Sequence, residues 1–423
     1  MIGVGARRDP QPREEPLNGA SADRPTPAGA GWRALDMGAI DIGTDRPYWI
    51  ALHALPGMGP VTFARLLHRF GTARGAWAQG ERLIGEMPRP GPTSHAVLQR
   101  LMREGAEAVA RRVSRLTMAA GGSIVTAAEP AYPRALTEVD PRPAVLHVAG
   151  DLTALDEDCV AIVGTRRASG YGLSTANHIA DELARAGAVI VSGLALGIDG
   201  EAHRAAIAAG GRTVAVLPSP LGRIYPPRHR ELARQLVATG GALISEIGPG
   251  QSTGRPDFAR RNRIIAGLAR AVVVVEAPNH SGALLTASAA SAYGREIHAV
   301  PGPVDSLGSE GPNRLIADGQ AEIVTSAASL VLRVGLRRPA GPVSVAALSE
   351  SEGLVLSALL RRSASIEELI GPTRLPPGAL AGTLTMLEAR GLVTSYGGVT
   401  FHPTVEARRI GMREPRDGER GRA

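Results

Sequence analysis

Lysine is missing from this chain of 423 residues, and all 47 of its basic positions are arginine. That excludes a P-loop lysine, a Schiff-base lysine and a kinase-type phosphate lysine. It leaves a side chain suited to bidentate phosphate contacts and to stacking on bases. Cysteine is nearly missing too. Cys159, alone at the start of an apolar run, can form neither an internal disulfide nor a cysteine-based metal cluster, so a reduced, cytoplasmic protein with no metal is expected. No run approaches 18 apolar residues, which excludes a membrane-spanning helix. Aromatic residues make up only 3 %, so an aromatic among polar neighbours stands out.

Length and charge come next. A chain this long exceeds one ordinary core and implies two or three domains. A net charge of +7 and a pI near 10.3 favour a polyanionic partner. The charge is unevenly placed: between Gly200 and Arg270, eleven arginines face only Glu201, Glu231, Glu246 and Asp257, a surplus of seven. An arginine-rich solvated surface is the bland alternative. Residues 1–44, rich in Pro, Gly, Ala and charge, read as a disordered tail without the apolar core of a signal peptide, and Met37 is a candidate start. Residues 404–423 read as a second disordered tail.

Residues 46–118 read as a small helical domain. Leu55-Pro56-Gly57-Met58-Gly59-Pro60-Val61 resembles a helix-hairpin-helix turn, in which two glycines let backbone N–H groups approach a phosphate; a plain packing unit is the alternative. Residues 123–158 read as a strand-containing connector that docks on the main sheet. A Pro/Gly/Arg-rich linker at 336–344 then leads to a module at 345–403 with three helices and two short strands around Gly397-Gly398, a winged-helix pattern. Its third helix offers only Glu388 and Arg390 as charges, and from Glu350 to His402 five acids meet four arginines. Without a basic footprint, protein contact is expected of this module rather than groove reading.

Residues 119–335 hold the main domain. Seven apolar runs begin at Cys159, Ala188, Thr213, Ala242, Ala271, Glu296 and Ala321, and stretches of helical length separate them. Val/Ile runs without in-out alternation indicate strands buried on both faces, hence a parallel sheet covered by helices. In such a sheet every strand delivers its following loop to one edge, where ligands bind. The loops so gathered begin at Gly164, Ser192, Glu246, Asn279 and Pro301, and they carry backbone donors, hydroxyls and arginines.

Gly164-Thr165-Arg166-Arg167-Ala168-Ser169-Gly170 joins a strand to a helix start, an arrangement that holds phosphates. It is not a dinucleotide fingerprint: Arg166 interrupts the glycines, and no acid follows the second strand to hold a ribose. In the second loop, Ser192-Gly193, Asp199 is expected to cap the helix that runs to Ala209, and His203 to shape the rim by hydrogen bonding. The run Phe258-Ala259-Arg260-Arg261-Asn262-Arg263 sets one of four phenylalanines beside three arginines. That is a face for a base and donors for a backbone, as single-stranded nucleic acid requires. Ser281 and Gly282 open another helix on the same rim.

GTRRASGYG, SGLALGIDGEAH, AVLPSPLGRIYPPRHREL, ISEIGPG, FARRNRIIAGLARAVVVVEA, HSGALLTA, REIHAVPGP and GPNRLIADGQA, in this order, resemble the DNA-processing protein A (DprA/Smf) family over about residues 46–402. The resemblance implies an α/β protein with a Rossmann-like parallel sheet, a helical N-terminal domain and a C-terminal winged helix. It implies a dimeric, non-enzymatic binder of single-stranded DNA that protects the strand in natural transformation and loads RecA onto it, with no cofactor. Carried over residue by residue, the DNA pocket comprises Gly164, Thr165, Arg166, Ser192, Gly193, Phe258, Arg261 and Arg263, with Arg255 where relatives often carry a base. One departure is Leu217-Pro218-Ser219-Pro220-Leu221-Gly222 in place of a Gly-rich loop; its two prolines remove two N–H donors. The rival reading is a nucleotide-binding hydrolase or phosphoribohydrolase of similar fold, for which Glu246 and Glu276, at strand ends, are the acidic candidates.

Overall fold

The computed structural model describes residues 41–86, 92–251, 253–336, 348–389, 392–396, 400–404 and 407. Residues 1–40 and 408–423 of the expected tails, the linker from 337, Met37, the Gly397-Gly398 turn and Arg390 lie outside them. The chain divides into two compact units, one ending at Leu336 and one beginning at Arg337.

The first unit is built on a nine-stranded sheet. Its strands are β1 (Ser123–Thr126), β2 (Val145–Gly150), β3 (Cys159–Val163), β4 (Val189–Ser192), β5 (Thr213–Leu217), β6 (Ala242–Ser245), β7 (Ala271–Val274), β8 (Glu296–Ala299) and β9 (Glu322–Ile323). The spatial order is β1-β2-β6-β5-β4-β3-β7-β8-β9. From β6 to β9 all neighbours are parallel. The connector adds β1 and β2 as an antiparallel edge, with His147 opposite Ser245. Each expected run contains a strand, and β3 to β7 are buried throughout because Val, Ile and Ala pack on both faces. In β3, Val160 and Ile162 meet the helices Gly170–Arg185 and Ile198–Ala208. Cys159, Ala161 and Val163 meet Arg255–Leu268 and Gly282–Ala292 on the other side. Burying such a side chain contributes about 1.5–3 kcal/mol.

The chain steps outward from β3 through β4 and β5 to β6, then returns to the other side of β3 as β7. A crevice therefore opens beyond the carboxyl ends of β3 and β7, the topological switch point at which ligands bind in such sheets.

The helical segment begins at Ile42, inside the stretch read as tail, because Asp41 caps that helix by accepting from Gly43 N–H. Trp49 and Phe63 are buried against each other with ring centroids 4.9 Å apart. Buried Asp45 accepts from Trp49 Nε1 and from the N–H groups of Ala73 and Arg74. The hairpin joins Ile42–His53 to Pro60–Phe70 through Gly57, at φ +79°, and Gly59 at the N-cap. Arg46 donates to Glu129 and to the Ile124 carbonyl, and Gln251 donates to the His53 carbonyl, so the helices are fastened to the sheet domain.

In the second unit, helices Glu350–Arg361, Ile366–Thr373 and Pro377–Ala389 pack around Leu356, Leu359, Leu384 and Phe401. Ser349 with Glu352, and Ser365 with Glu368, form reciprocal caps on the first two. Strands β10 (Ala364–Ser365), β11 (Val393–Tyr396) and β12 (Thr400–Pro403) complete a winged helix in the order β10-β12-β11. Among the described residues no helix is long and apolar enough to cross a membrane.

Candidate nucleic-acid interface

A cleft of about 860 Å³ opens at the switch point. The Gly164 loop, the first turns of Arg255–Leu268 and the loop entering Gly282–Ala292 form its walls. Gly164, Thr165, Arg166, Arg255, Phe258, Arg261, Asn262, Ser281 and Gly282 all line it, so nine of the expected site residues come together. Gly164 is required there: a Cβ would lie 2.5 Å from Ile198 and 2.9 Å from the Glu276 carbonyl.

Among the described residues, no ion pair involves the exposed Arg166, Arg167 or Arg255 on this rim, nor Arg223 and Arg228 in the loop after β5. The Arg166 guanidinium lies 4.9 Å from the centre of the Phe258 ring. Asn262 is clamped, donating to the Gly282 carbonyl and accepting from Arg261 Nε, so it sets the spacing of the two walls.

The other expected residues do different work. Ser192 is fully buried and donates to the Ile162 carbonyl at 2.6 Å. Gly193 lies behind the cleft wall, its N–H on Asp199, and a Cβ there would meet the Arg261 guanidinium. Arg261 is a buried strut: it donates to the carbonyls of Gly193 and Val216, and burial lowers its pKa to about 10. Asp199 is not the N-cap, a position held by Gly197; it sits one residue into the helix and reaches back to the Gly193 N–H. Burial pushes the Asp199 carboxyl upward against the pull of Arg261. His203 is fully buried and donates through Nδ1 to Thr213, whose hydroxyl is committed to the Ile190 carbonyl. Arg263 points away from the cleft, onto the buried Glu246 at 2.6 Å and the Pro141 carbonyl at 2.8 Å.

The helix start that sequence offered to a phosphate is already filled. Buried Glu276 accepts from the Ser169 N–H and hydroxyl, and a Cβ on Gly172 would collide with its carboxylate. An internal carboxylate thus holds the position that a dinucleotide pyrophosphate takes in related sheets. The charge surplus is also more dispersed than the sequence implied. Arg212 and Arg270 precede β5 and β7, at the opposite sheet edge, where they pair with Glu157 and Asp158.

Sequence reasoning missed Tyr225, which is half-exposed and meets Phe258 edge-on at 5.6 Å. It stands within the run GRIYPPRHREL, where an aromatic among arginines was the available signal.

A mostly parallel, Rossmann-like sheet with an arginine-rimmed switch-point cleft and a winged-helix module defines the class. The model of the DNA recombination-mediator protein A family matches residues 123–335, and that of the DprA winged helix domain matches 339–398. The chain therefore belongs to the DNA recombination-mediator protein A family. It is 35 % identical over 296 residues to protein Smf of Synechocystis, covering 69 % of this chain and 73 % of that protein. It is 46 % identical over 188 residues to protein Smf of Escherichia coli, covering 44 % and 50 %. The X-ray structure of DNA processing protein A from Streptococcus pneumoniae superposes with a TM-score of 0.57 at 31 % identity, covering 68 % of this chain and 97 % of that one.

Proposed function

We propose that this protein binds single-stranded DNA along the carboxyl edge of its parallel sheet, without turnover, and passes the strand to RecA during recombination. The observation that carries this reading is the grouping of exposed Arg166, Arg167 and Arg255, none in an ion pair among the described residues, with Phe258 in one open cleft. Guanidinium groups with no acidic partner keep their charge for a polyanion, and an aromatic beside them accepts a base of any sequence.

The carboxylates a hydrolase would use are engaged elsewhere. Glu246 pairs with Arg263, and Glu276 closes the helix start at Ser169. Gly164, Thr165, Arg166, Arg255, Phe258, Ser281 and Gly282 are the proposed contact residues, with Arg261 and Asn262 holding the walls that present them. RecA delivery, homodimerisation, a part in natural transformation and a cytoplasmic setting extend the family resemblance. The exposed Val304 and Leu307, on the same sheet edge, are where self-association is best tested. The winged helix, without a basic face, is assigned to protein contact.

One titration separates the readings. A fluorescent oligothymidylate should bind and resist competition by a thousandfold excess of thymidine monophosphate or ATP. Competition by a mononucleotide at equal concentration, or its hydrolysis, would favour the nucleotide enzyme.

A further inference from the structure

Phe258 has the sequence signature of a base platform, yet much of its surface is committed. It is half-buried, the Arg166 guanidinium lies 4.9 Å from its centre, and Tyr225 meets it at 5.6 Å with the rings 78° apart. The ring of this cluster most open to solvent is Tyr225, which is 47 % exposed. No hydrogen bond among the described residues involves its hydroxyl, whereas exposed Tyr171 donates to the Pro301 carbonyl and buried Tyr132 to the Pro143 carbonyl. Tyr225 thus has no fastening duty of that kind.

Its surroundings point to a strand. Exposed Arg223 and Arg228 stand two and three residues away, and neither forms an ion pair among the described residues. The loop that carries them follows β5, two strands along the same edge from β3. A small hollow lined by Arg166, Pro218, Tyr225 and Phe258 continues the main cleft in that direction.

We propose that Tyr225 is the outer base platform of the DNA site, receiving the nucleotide next to the one held against the Arg166–Phe258 pair. Because the two rings stand nearly perpendicular, bases lying on each cannot stack on one another, so the strand must turn at this step. A duplex, whose bases are paired and stacked, cannot make that turn. Tyr225 would therefore contribute to selection of single over double strands.

This proposal rests on the single-stranded DNA reading, and the test keeps the two apart. Tyr225→Leu should weaken oligothymidylate binding by about tenfold with an unchanged salt slope, while Tyr225→Phe stays near wild type. In Tyr225→Trp the indole fluorescence should be quenched as oligothymidylate is added. Wild-type affinity in Tyr225→Leu, or an unquenched indole in Tyr225→Trp, with Arg166→Ala still impaired, overturns the role of Tyr225 and leaves the DNA reading standing. Failure of the wild-type protein to bind overturns both. Should Tyr225→Leu melt early, the indole signal alone decides.

Discussion

Arg166 is exposed on the cleft rim whereas Arg263 is held on buried Glu246, so substituting each should separate binding from stability. The Arg263 side chain is 11 % exposed and that of Glu246 is 8 % exposed, with 2.6 Å between them. Among the described ion pairs, Arg263→Met leaves the buried carboxylate with the more distant Arg260, at 3.7 Å. Breaking a buried pair costs about 3–5 kcal/mol, and the remaining Arg260 argues for the lower end. At about 2–4 °C per kcal/mol, calorimetry should show a melting temperature lower by roughly 6–12 °C. Adding Glu246→Leu should recover much of that loss, since the stranded charge goes with it. Arg166→Ala removes an exposed side chain and one cation–π contact, about 0.5–1 kcal/mol of stability, but should weaken oligothymidylate binding by about 1–3 kcal/mol. If Arg263→Met lost affinity at an unchanged melting temperature, Arg263 would belong in the DNA site and its assignment to the fold would be wrong.

Three further outcomes follow from burial and charge. Burial holds His53 near pKa 4 and His147 and His203 near 3, so between those values and 6.5 the unfolded chain binds more protons; stability should fall as pH drops below 6.5, by about 2 kcal/mol per histidine at pH 5, with no slope from these groups above it. Urea melts at pH 5 and 7.5 check this, and His203→Leu should reduce the difference by about a third. Removing residues 337–423, a separate compact unit whose described and adjoining residues 350–402 carry five acids against four arginines, should leave oligothymidylate affinity within about tenfold in a gel shift; a hundredfold loss would place part of the site there. Gly172→Ala, whose Cβ would lie 2.2 Å from the Glu276 carboxylate, should cost about 1–3 kcal/mol in thermal melts, whereas Gly170→Ala on the same helix meets open space and should be neutral.

The parallel sheet was legible because it follows from one-dimensional facts. Runs such as TVAVL at 213–217 can be buried on both faces only between helix layers, and β5 occupies those same residues. The gathering of loops at one edge follows from parallelism alone, which is why nine expected residues meet in one cleft. What sequence could not show is where a side chain turns. Arg261 and Arg263 are two residues apart on one helix, and at helical spacing they face different directions: one lies under the cleft and the other on Glu246. Glu276 follows β7 as a candidate acid, yet its partner Ser169 is 107 residues away, so its capping role is a tertiary fact. Tyr225 stands among arginines in the sequence, but its place beside Phe258 is a tertiary fact.

Binding of labelled oligothymidylate and of a duplex of equal length, followed by anisotropy across a range of salt, tests the central claim most directly. Among the described residues, exposed Arg166, Arg167 and Arg255 line the cleft and exposed Arg223 and Arg228 lie in the loop after β5, none of them in an ion pair. If about four to six phosphates are neutralised, log K for the single strand should fall with log salt at a slope of roughly −3 to −4, and the duplex should bind more weakly at every salt concentration. A slope near zero, or a duplex bound as tightly as the single strand, would contradict a single-strand site at this edge.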